Sequence, residues 1–427
     1  MISLKYIVCY SFLSIIFGIP YPEFSVIINN SPYPQDIFIH SSYNQTQHMA
    51  ILNPELELKW NVVSTNGKGW DFKVNNNDKI TYFRKPNNDW SPSGGGLFYV
   101  MDTDMREIDT LSCTNNFEAD YHDIQYTEDN GYLLQAYAKA EVDIPLTEGV
   151  DTANVLIIQE FDENHNLVME WKNFEHMDIL DYIDELNLQS AYRNWMHGNS
   201  IEIDFDGNII VSNRAMSELI KFDRQSGEVI WRLGGPANDF TFIDDPLYGP
   251  NRQHDARRLD NGNIMIFDNG DNRDIPFTRV SEYQINESDL TATLIWQYSH
   301  PNEYVSLNQG CAQRLDNGNT LISWGGVAGH GQIITEIDTS DQRVLEIEYP
   351  QGSYSYKVRK SDWSFNIDLI RGDINLDNSI DILDIISTVN YVLSGEIPDL
   401  FYLYKLDLDY SGGVDVSDII LLLDILI

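Results

Sequence analysis

One pattern recurs along most of the chain and limits what it can fold into: a short alternating strand, an Asp-Gly or Asn-Gly turn, and a second strand. The clearest copies are HGNSIEIDFDGNIIVSNR from His197, HDARRLDNGNIMIFDNG from His254 and GCAQRLDNGNTLISWGG from Gly310, with starts 57 and 56 residues apart. A fainter copy, HDIQYTEDNGYLLQAY, begins at His122, and an insertion around Glu141 to Asp151 stretches its distance from His197 to 75 residues. A second hairpin follows each copy, as in ELIKFDRQSGEVIWRLGG and ITEIDTSDQRVLEIEYP. Asp206-Gly207, Asn261-Gly262 and Asn317-Gly318 suit the positive φ angles of tight hairpin turns. Four short strands per repeat, with no helical periodicity, predict antiparallel sheets arranged radially: an all-β, six-bladed β-propeller. The first blade falls at about residues 70–112 and four more follow the copies. The last combines SYSYKVRKSDW with the early segment ELELKWNVV, which joins the two ends of the propeller in one sheet and removes its exposed edges. A two-sheet sandwich is the alternative, and the even spacing of the turns disfavours it.

The expected organisation is an export signal over 1–22, an N-terminal extension over 23–50, the propeller over 51–368 and a separate module over 371–427. The signal reading rests on Lys5, the apolar run from Tyr6 to Ile19, and Pro20 and Pro22. That run is short of the roughly 20 residues needed to span a bilayer, so no membrane span is expected and the mature protein is read as secreted, extracellular or periplasmic. Cys9 would leave with the signal. Cys113 and Cys311 remain, their spacing fits no zinc or redox motif, and their pairing is left open.

At Arg371 the pattern gives way to two acidic loops, each leading into an apolar helix. DINLDNSIDILD runs from Asp373 to Asp384 and DLDYSGGVDVSD from Asp407 to Asp418, so the loops start 34 residues apart. Both carry oxygen ligands at the same steps: Asp373, Asn375, Asp377, Asp381 and Asp384, then Asp407, Asp409, Ser411, Asp415 and Asp418. Ser379 and Gly413 would add backbone carbonyls. A hard cation such as calcium takes this many oxygens from one flexible loop, and the sharp turn it needs is met by Gly412 and by Asn378. The pair resembles a type I dockerin, a duplicated calcium-binding module of bacterial extracellular proteins. The resemblance implies two calcium ions and a cohesin-type scaffold as partner.

The charge balance narrows the choice of ligand. With 66 acidic against 27 basic side chains the formal charge is -39, a field that repels nucleic acid, and no basic cluster offsets it. Three histidines, His122, His197 and His254, nevertheless begin repeats at equivalent places, so a propeller would bring them to one mouth of its channel. Arg214 lies at the far end of the hairpin that His197 opens. Strand alternation sends His254 and Ala256 one way and Asp255 and Arg257 the other. Imidazole is a good nucleophile near neutral pH and guanidinium matches the oxygen edge of a sulfate or phosphate, so the set suits transfer of an anionic group through a histidine adduct.

WMHGNSIEIDFDGNIIVSNR, FDRQSGEVIWRLGG and QHDARRLDNGN together resemble the arylsulfotransferase family over most of residues 55–350. The resemblance implies a six-bladed propeller that moves a sulfuryl group from a phenolic sulfate ester to an acceptor phenol through a sulfohistidine, without a nucleotide cofactor. It assigns His254 as nucleophile, His197 and Arg214 as the cradle for the sulfuryl oxygens, and His122 as the acid and base. An exchange of roles between His122 and His197 stays open. So do two other readings: a non-enzymatic propeller that binds a partner and carries a calcium-stabilised tail, and a metal-dependent hydrolase or lyase. His330 is a candidate for the site's rim, His176 and His300 read as surface or packing residues, Asn199 as positioning a neighbour, and Trp195, Trp231 and Trp296 as blade packing.

Overall fold

The computed structural model describes residues 21–427 apart from 44–45, 65–67, 86–94, 145–150, 189, 191, 366–368 and 397. The expected export signal therefore falls almost wholly outside the described residues. Six sheets of mainly antiparallel strands follow one another along the chain. Blade 1 runs, from the axis outward, Val358–Ser361, Asp36–Tyr43, Thr46–Leu52 and Leu58–Ser64. Blade 2 is Lys68–Val74, Ile80–Arg84, Leu97–Met101 and Glu107–Leu111, and blade 3 is Ile124–Tyr126, Tyr132–Val142, Asp151–Phe161 and Leu167–Lys172. Blade 4 is Gly198–Ile203, Ile209–Asn213, Glu218–Phe222 and Val229–Gly234. Blades 5 and 6 begin with His254–Arg258 and Cys311–Arg314, and each ends on a fifth strand, Thr241–Ile243 and Ser25–Asn29. The innermost strands of neighbouring blades pack together around the axis. The sequence is thus a six-bladed β-propeller, as the repeat predicted.

The closing blade differs from expectation in one respect. Val358–Ser361 and Leu58–Ser64 do belong to it, but the two strands between them come from residues 36–52. Residues 23–50, read from sequence as an extension before the propeller, therefore supply propeller strands, with Asp36 paired to Ser361 and Ile39 to Val358. This segment lacks an Asp-Gly turn and is rich in polar residues, yet His40, Ser41, Ser42, Gln47 and His48 are all buried. The strand signal of alternating polarity is absent because both faces are covered by neighbouring blades.

Hairpin chemistry and interblade packing hold the frame. Gly262 and Gly318 take φ of 86° and 88° at the turns of blades 5 and 6, where a side chain would be strained. Between blades 4 and 5, Ile210, Leu219, Trp231 and Leu233 meet Ala256, Ile264, Ile266 and Tyr283. Trp171 stacks on Phe222 at 4.3 Å between blades 3 and 4. Trp195 is buried as expected, and fully burying side chains of this kind contributes about 1.5–3 kcal/mol each. Cys113 and Cys311 are both free thiols.

The C-terminal segment forms three helices, Ile382–Ser394, Leu400–Leu406 and Val416–Leu426. The first and last open on the capping aspartates Asp381 and Asp415, each with a reciprocal partner three residues on. Leu400 and Leu403 of the middle helix pack with Phe38 and Trp60 of blade 1. No helix among the described residues is long and apolar enough to cross a membrane.

Candidate active site

Because His122, His197 and His254 stand at or just before the start of three innermost strands, blade geometry gathers them at one mouth of the channel. The His122 and His197 rings are 5.0 Å apart and nearly perpendicular. Tyr356, two residues before the strand Val358–Ser361, has its ring centre 5.3 Å from that of His122 and 6.4 Å from that of His254, edge-on to both. Tyr121 stacks on His122 at 4.2 Å. Arg214 follows the second strand of blade 4 and returns to the same end, its backbone N–H donating to the His197 carbonyl at 2.9 Å.

Each histidine is held differently. His254 is 3 % exposed, and its Nδ1 lies 2.7 Å from Asn269 Oδ1. The Asn269 amide nitrogen donates to the carbonyls of Ser306 and Gln309 at 3.2 and 2.9 Å, so its oxygen must face the ring. His254 therefore carries its proton on Nδ1 and presents an unprotonated Nε2. His122 donates from Nδ1 to the Asp120 carboxylate, which also accepts from the His122 backbone N–H at 3.0 Å and from Gln135. The backbone N–H of His197 donates to Asn213 Oδ1 at 2.9 Å.

Burial and like charge keep two of the imidazoles neutral. Desolvation, then His122 and Arg214, push His197 down to about 3. The same causes, burial first and Arg214 next, hold His254 well below the ordinary imidazole value. Burial also lowers Arg214, while Asp271 pulls it back up. Arg214 donates from Nη2 to the Leu307 carbonyl at 3.0 Å and reaches Asp271 at 3.4 Å, while its Nε is buried without a partner. A guanidinium with spare donors beside neutral imidazoles has the chemistry to receive an anion.

Beneath the cluster, charged side chains from five blades fill the channel. Arg257 pairs with Asp123 and Asp255 at 2.8 and 2.9 Å, Lys73 with Asp71 and Asp123 at 2.8 and 2.7 Å, and Arg359 with Asp255 at 2.6 Å. Lys357 joins the same carboxylates and donates to the His122 carbonyl at 2.6 Å, which fixes the backbone of that histidine. The simple alternation expected after His254 is broken by a bulge: Asp255 has φ of 52° and the register slips between His254 and Arg257. Arg257 and Arg258 are consumed by ion pairs below the mouth, Arg258 with Asp204.

The other sequence candidates fall elsewhere. His330 pairs with Glu348 at 2.9 Å and packs against Tyr304, apart from the three site histidines in every contact described. His300 is buried against Glu346 and Trp324, and His176 stacks on Trp171. Asn199 donates to the carbonyl of Gln253, and so positions the residue before His254. Sequence reading missed Asp120, Asn269 and Asp271. A signal existed for Asn269: Ser212-Asn213 and Asp268-Asn269 stand at the ends of the second strands of consecutive repeats, so the asparagine recurs beside His197 and His254.

The two C-terminal loops share one backbone geometry. Asn378 and Gly412 take φ of 65° and 83° at the expected turn. The N–H groups of Asp377 and Asn378 donate to Asp373, and those of Ser411 and Gly412 to Asp407. Carboxylate oxygens of Asp407, Asp409 and Asp418 lie within 4.8 Å of one another. Burial, aided by neighbouring carboxylates, raises Asp407 to about 7 and Asp418 to about 6.

Among solved structures the chain is similar to a protein of unknown function from Bacteroides caccae, with 15% identity and a TM-score of 0.48 over 77% of this chain and 98% of that one. It is also similar to a putative 6-phosphogluconolactonase from Bacteroides fragilis (10% identity, TM-score 0.42, 77% and 98%) and to virginiamycin B lyase from Staphylococcus aureus (6%, 0.38, 78% and 89%). A search of curated proteins finds no match. The sequence pattern of the arylsulfotransferase (ASST) family matches residues 27–357, which takes in the strands of residues 36–52 and all four residues of the His122, His197, Arg214 and His254 cluster. With most of its length so matched, the chain belongs to the arylsulfotransferase family.

Proposed function

We propose that the propeller transfers a sulfuryl group from a phenolic sulfate ester to an acceptor phenol through an adduct on His254. Family membership supports aryl sulfotransferase activity in general. The observation that carries the finer reading is the locked tautomer of His254, whose free Nε2 shares a mouth with Arg214 and two further imidazoles. In the first half, the Nε2 lone pair forms a bond to sulfur as the sulfur–aryl oxygen bond breaks. The bond's electron pair leaves on the phenolate oxygen, which takes a proton from His122, whose ring Asp120 holds in place. In the second half, neutral His122 accepts the proton of the acceptor phenol, whose oxygen attacks sulfur and returns the N–S electron pair to His254. Arg214 and His197 cradle the sulfuryl oxygens, where fixed charge counts for more than nucleophile strength in a loose transition state. The test is turnover of a chromogenic phenyl sulfate with and without phenol, together with mass spectrometry for a sulfo adduct on His254. Release that requires the acceptor supports transfer, whereas release to water that is lost on chelation would point to a metal hydrolase.

The acid limb of donor kcat/KM has a predicted position. Protonating His254 removes its lone pair, and burial with Arg214 disfavours that protonation. Activity should therefore persist as pH falls through the ordinary imidazole value of about 6.5 and decline only well below it. A pH–rate profile with its acid limb at 6.5 would contradict this.

We further propose that the C-terminal loops bind two calcium ions, through Asp373, Asn375, Asp377, Ser379, Asp381 and Asp384 and through Asp407, Asp409, Ser411, Gly413, Asp415 and Asp418. The fit is chemical: buried carboxylates that repel one another, with pKa values raised in the second loop, are stabilised by a hard cation. Ile382, Leu383 and Val416, more than half exposed at the starts of the two loop helices, suit docking to a cohesin-type scaffold. That role accords with export, which the N-terminal sequence supports. Calcium at about 100 times its Kd should stabilise the module by about 2.7 kcal/mol per site, read as a rise in Tm reversed by chelator. A Tm indifferent to calcium would remove the proposal.

A further inference from the structure

Arg214 is not alone at the mouth. Asp271 Oδ2 lies 3.4 Å from Arg214 Nη2 and 3.1 Å from Arg252 Nη1, so one carboxylate holds two guanidiniums. Asp271 is nearly buried, and its second oxygen has no hydrogen-bond partner. Two positive groups sharing one negative group leave a net charge of one, with donors to spare, including the buried Arg214 Nε. A monoanion would complete the balance. A sulfate monoester carries that charge and offers three oxygens to a pair of guanidinium forks.

The two arginines differ in exposure. The Arg214 side chain is 15% exposed and that of Arg252 is 39%. Arg252 adopts φ of 51°, a left-handed conformation costly for a non-glycine residue, and its N–H is fastened to Ser217 Oγ at 3.0 Å. The side chain, joined to Arg214 through Asp271, also helps to line an open cleft of about 650 Å³ together with Ser217, Gly249, Asn251 and Arg273. Arg273 is tied to Asp268 and to the Gly249 carbonyl, which leaves Arg252 as the cation of this group with donors available. With a formal charge of -39 on the chain, long-range attraction does not bring an anion in, and capture must be local.

We propose that Arg252 is a second binding residue for the sulfate ester, meeting it at the cleft and sharing it with Arg214, and that Asp271 is the positioning residue that sets the two guanidiniums apart. The proposal rests on the sulfuryl-transfer reading for its substrate, while the anion site itself is testable without turnover. The full chain is titrated with inorganic sulfate by calorimetry, and steady-state kinetics are run with 4-nitrophenyl sulfate and phenol, for the parent, Arg252→Gln and Arg252→Lys. Loss of one charge-assisted contact should weaken sulfate binding and raise donor KM by about 10-fold or more in Arg252→Gln, a larger factor than any fall in kcat, with partial recovery in Arg252→Lys. Sulfate binding that is absent from the parent, or equal in parent and Arg252→Gln, overturns the proposal. If sulfate binding depends on Arg252 but no donor is turned over, the transfer reading fails and the anion site stands. If turnover occurs and neither KM nor sulfate affinity moves in Arg252→Gln, the transfer reading stands and Arg252 has no part in it.

Discussion

Replacing His254 with alanine should abolish acceptor-dependent release from an aryl sulfate, with a loss of at least about 10³-fold, or roughly 4 kcal/mol of transition-state stabilisation. The expectation follows from the absence of a substitute. No cysteine is described near the cluster: Cys311 bonds to the Val358 backbone, and Cys113 lies in the packing between blades 2 and 3. His122 has its Nδ1 committed to Asp120, and His197 is the residue proposed for the cradle. The sulfo adduct should vanish from the mass spectrum of the variant. His254→Asn, which keeps a polar group within reach of Asn269, serves as a second variant should His254→Ala fold poorly. A variant that transfers sulfuryl within about tenfold of the parent would exclude His254 as nucleophile.

The second large effect is expected at Arg214. Arg214→Leu removes a guanidinium that is mostly buried, where its charge on the sulfuryl oxygens is least screened, and should cost about 10²–10³-fold in kcat/KM, or about 2.7–4 kcal/mol. A second signature separates this role from a structural one. The charge of Arg214 is among the causes that hold His197 and His254 below their usual pKa, so its removal lets both rise toward about 6.5. The acid limb of the surviving rate should move to higher pH. A rate loss without that displacement would mean that Arg214 acts at a distance from the two imidazoles.

Both effects depend on side chains whose residue types were legible in the sequence and whose supports were not. His122, His197 and His254 announced themselves because each opens a repeat, and equivalent positions in a propeller are brought to one level. Asp120 gave little signal, since an aspartate two residues before a histidine in an acidic chain has many explanations. Asp271 and Arg252 are separated by 19 residues and by a pair of strands, and their contact follows from how the loops of blade 5 fold over the mouth. Tyr356 reaches His122 and His254 from a bend just before the strand Val358–Ser361, more than 100 residues further along the chain.

The same division runs through the fold. Asp-Gly and Asn-Gly turns between alternating strands are local instructions, because positive φ and a two-residue side-chain period are written within ten residues, and they determined the blade and its repetition. The sequence alone also determined the two acidic loops, since their carboxylate and amide side chains lie within 12 residues of one another. Only the tertiary structure decided that residues 36–52 complete the closing blade, because their pairing partners stand at Val358–Ser361 and their polar side chains are covered from both sides. It alone decided that Arg257 is taken up by ion pairs with Asp123 and Asp255, and that Asn269 leaves Nε2 of His254 free. Hydrogen bonds and charge neutralisation of this kind join atoms remote in sequence, and no local pattern of residue types records them.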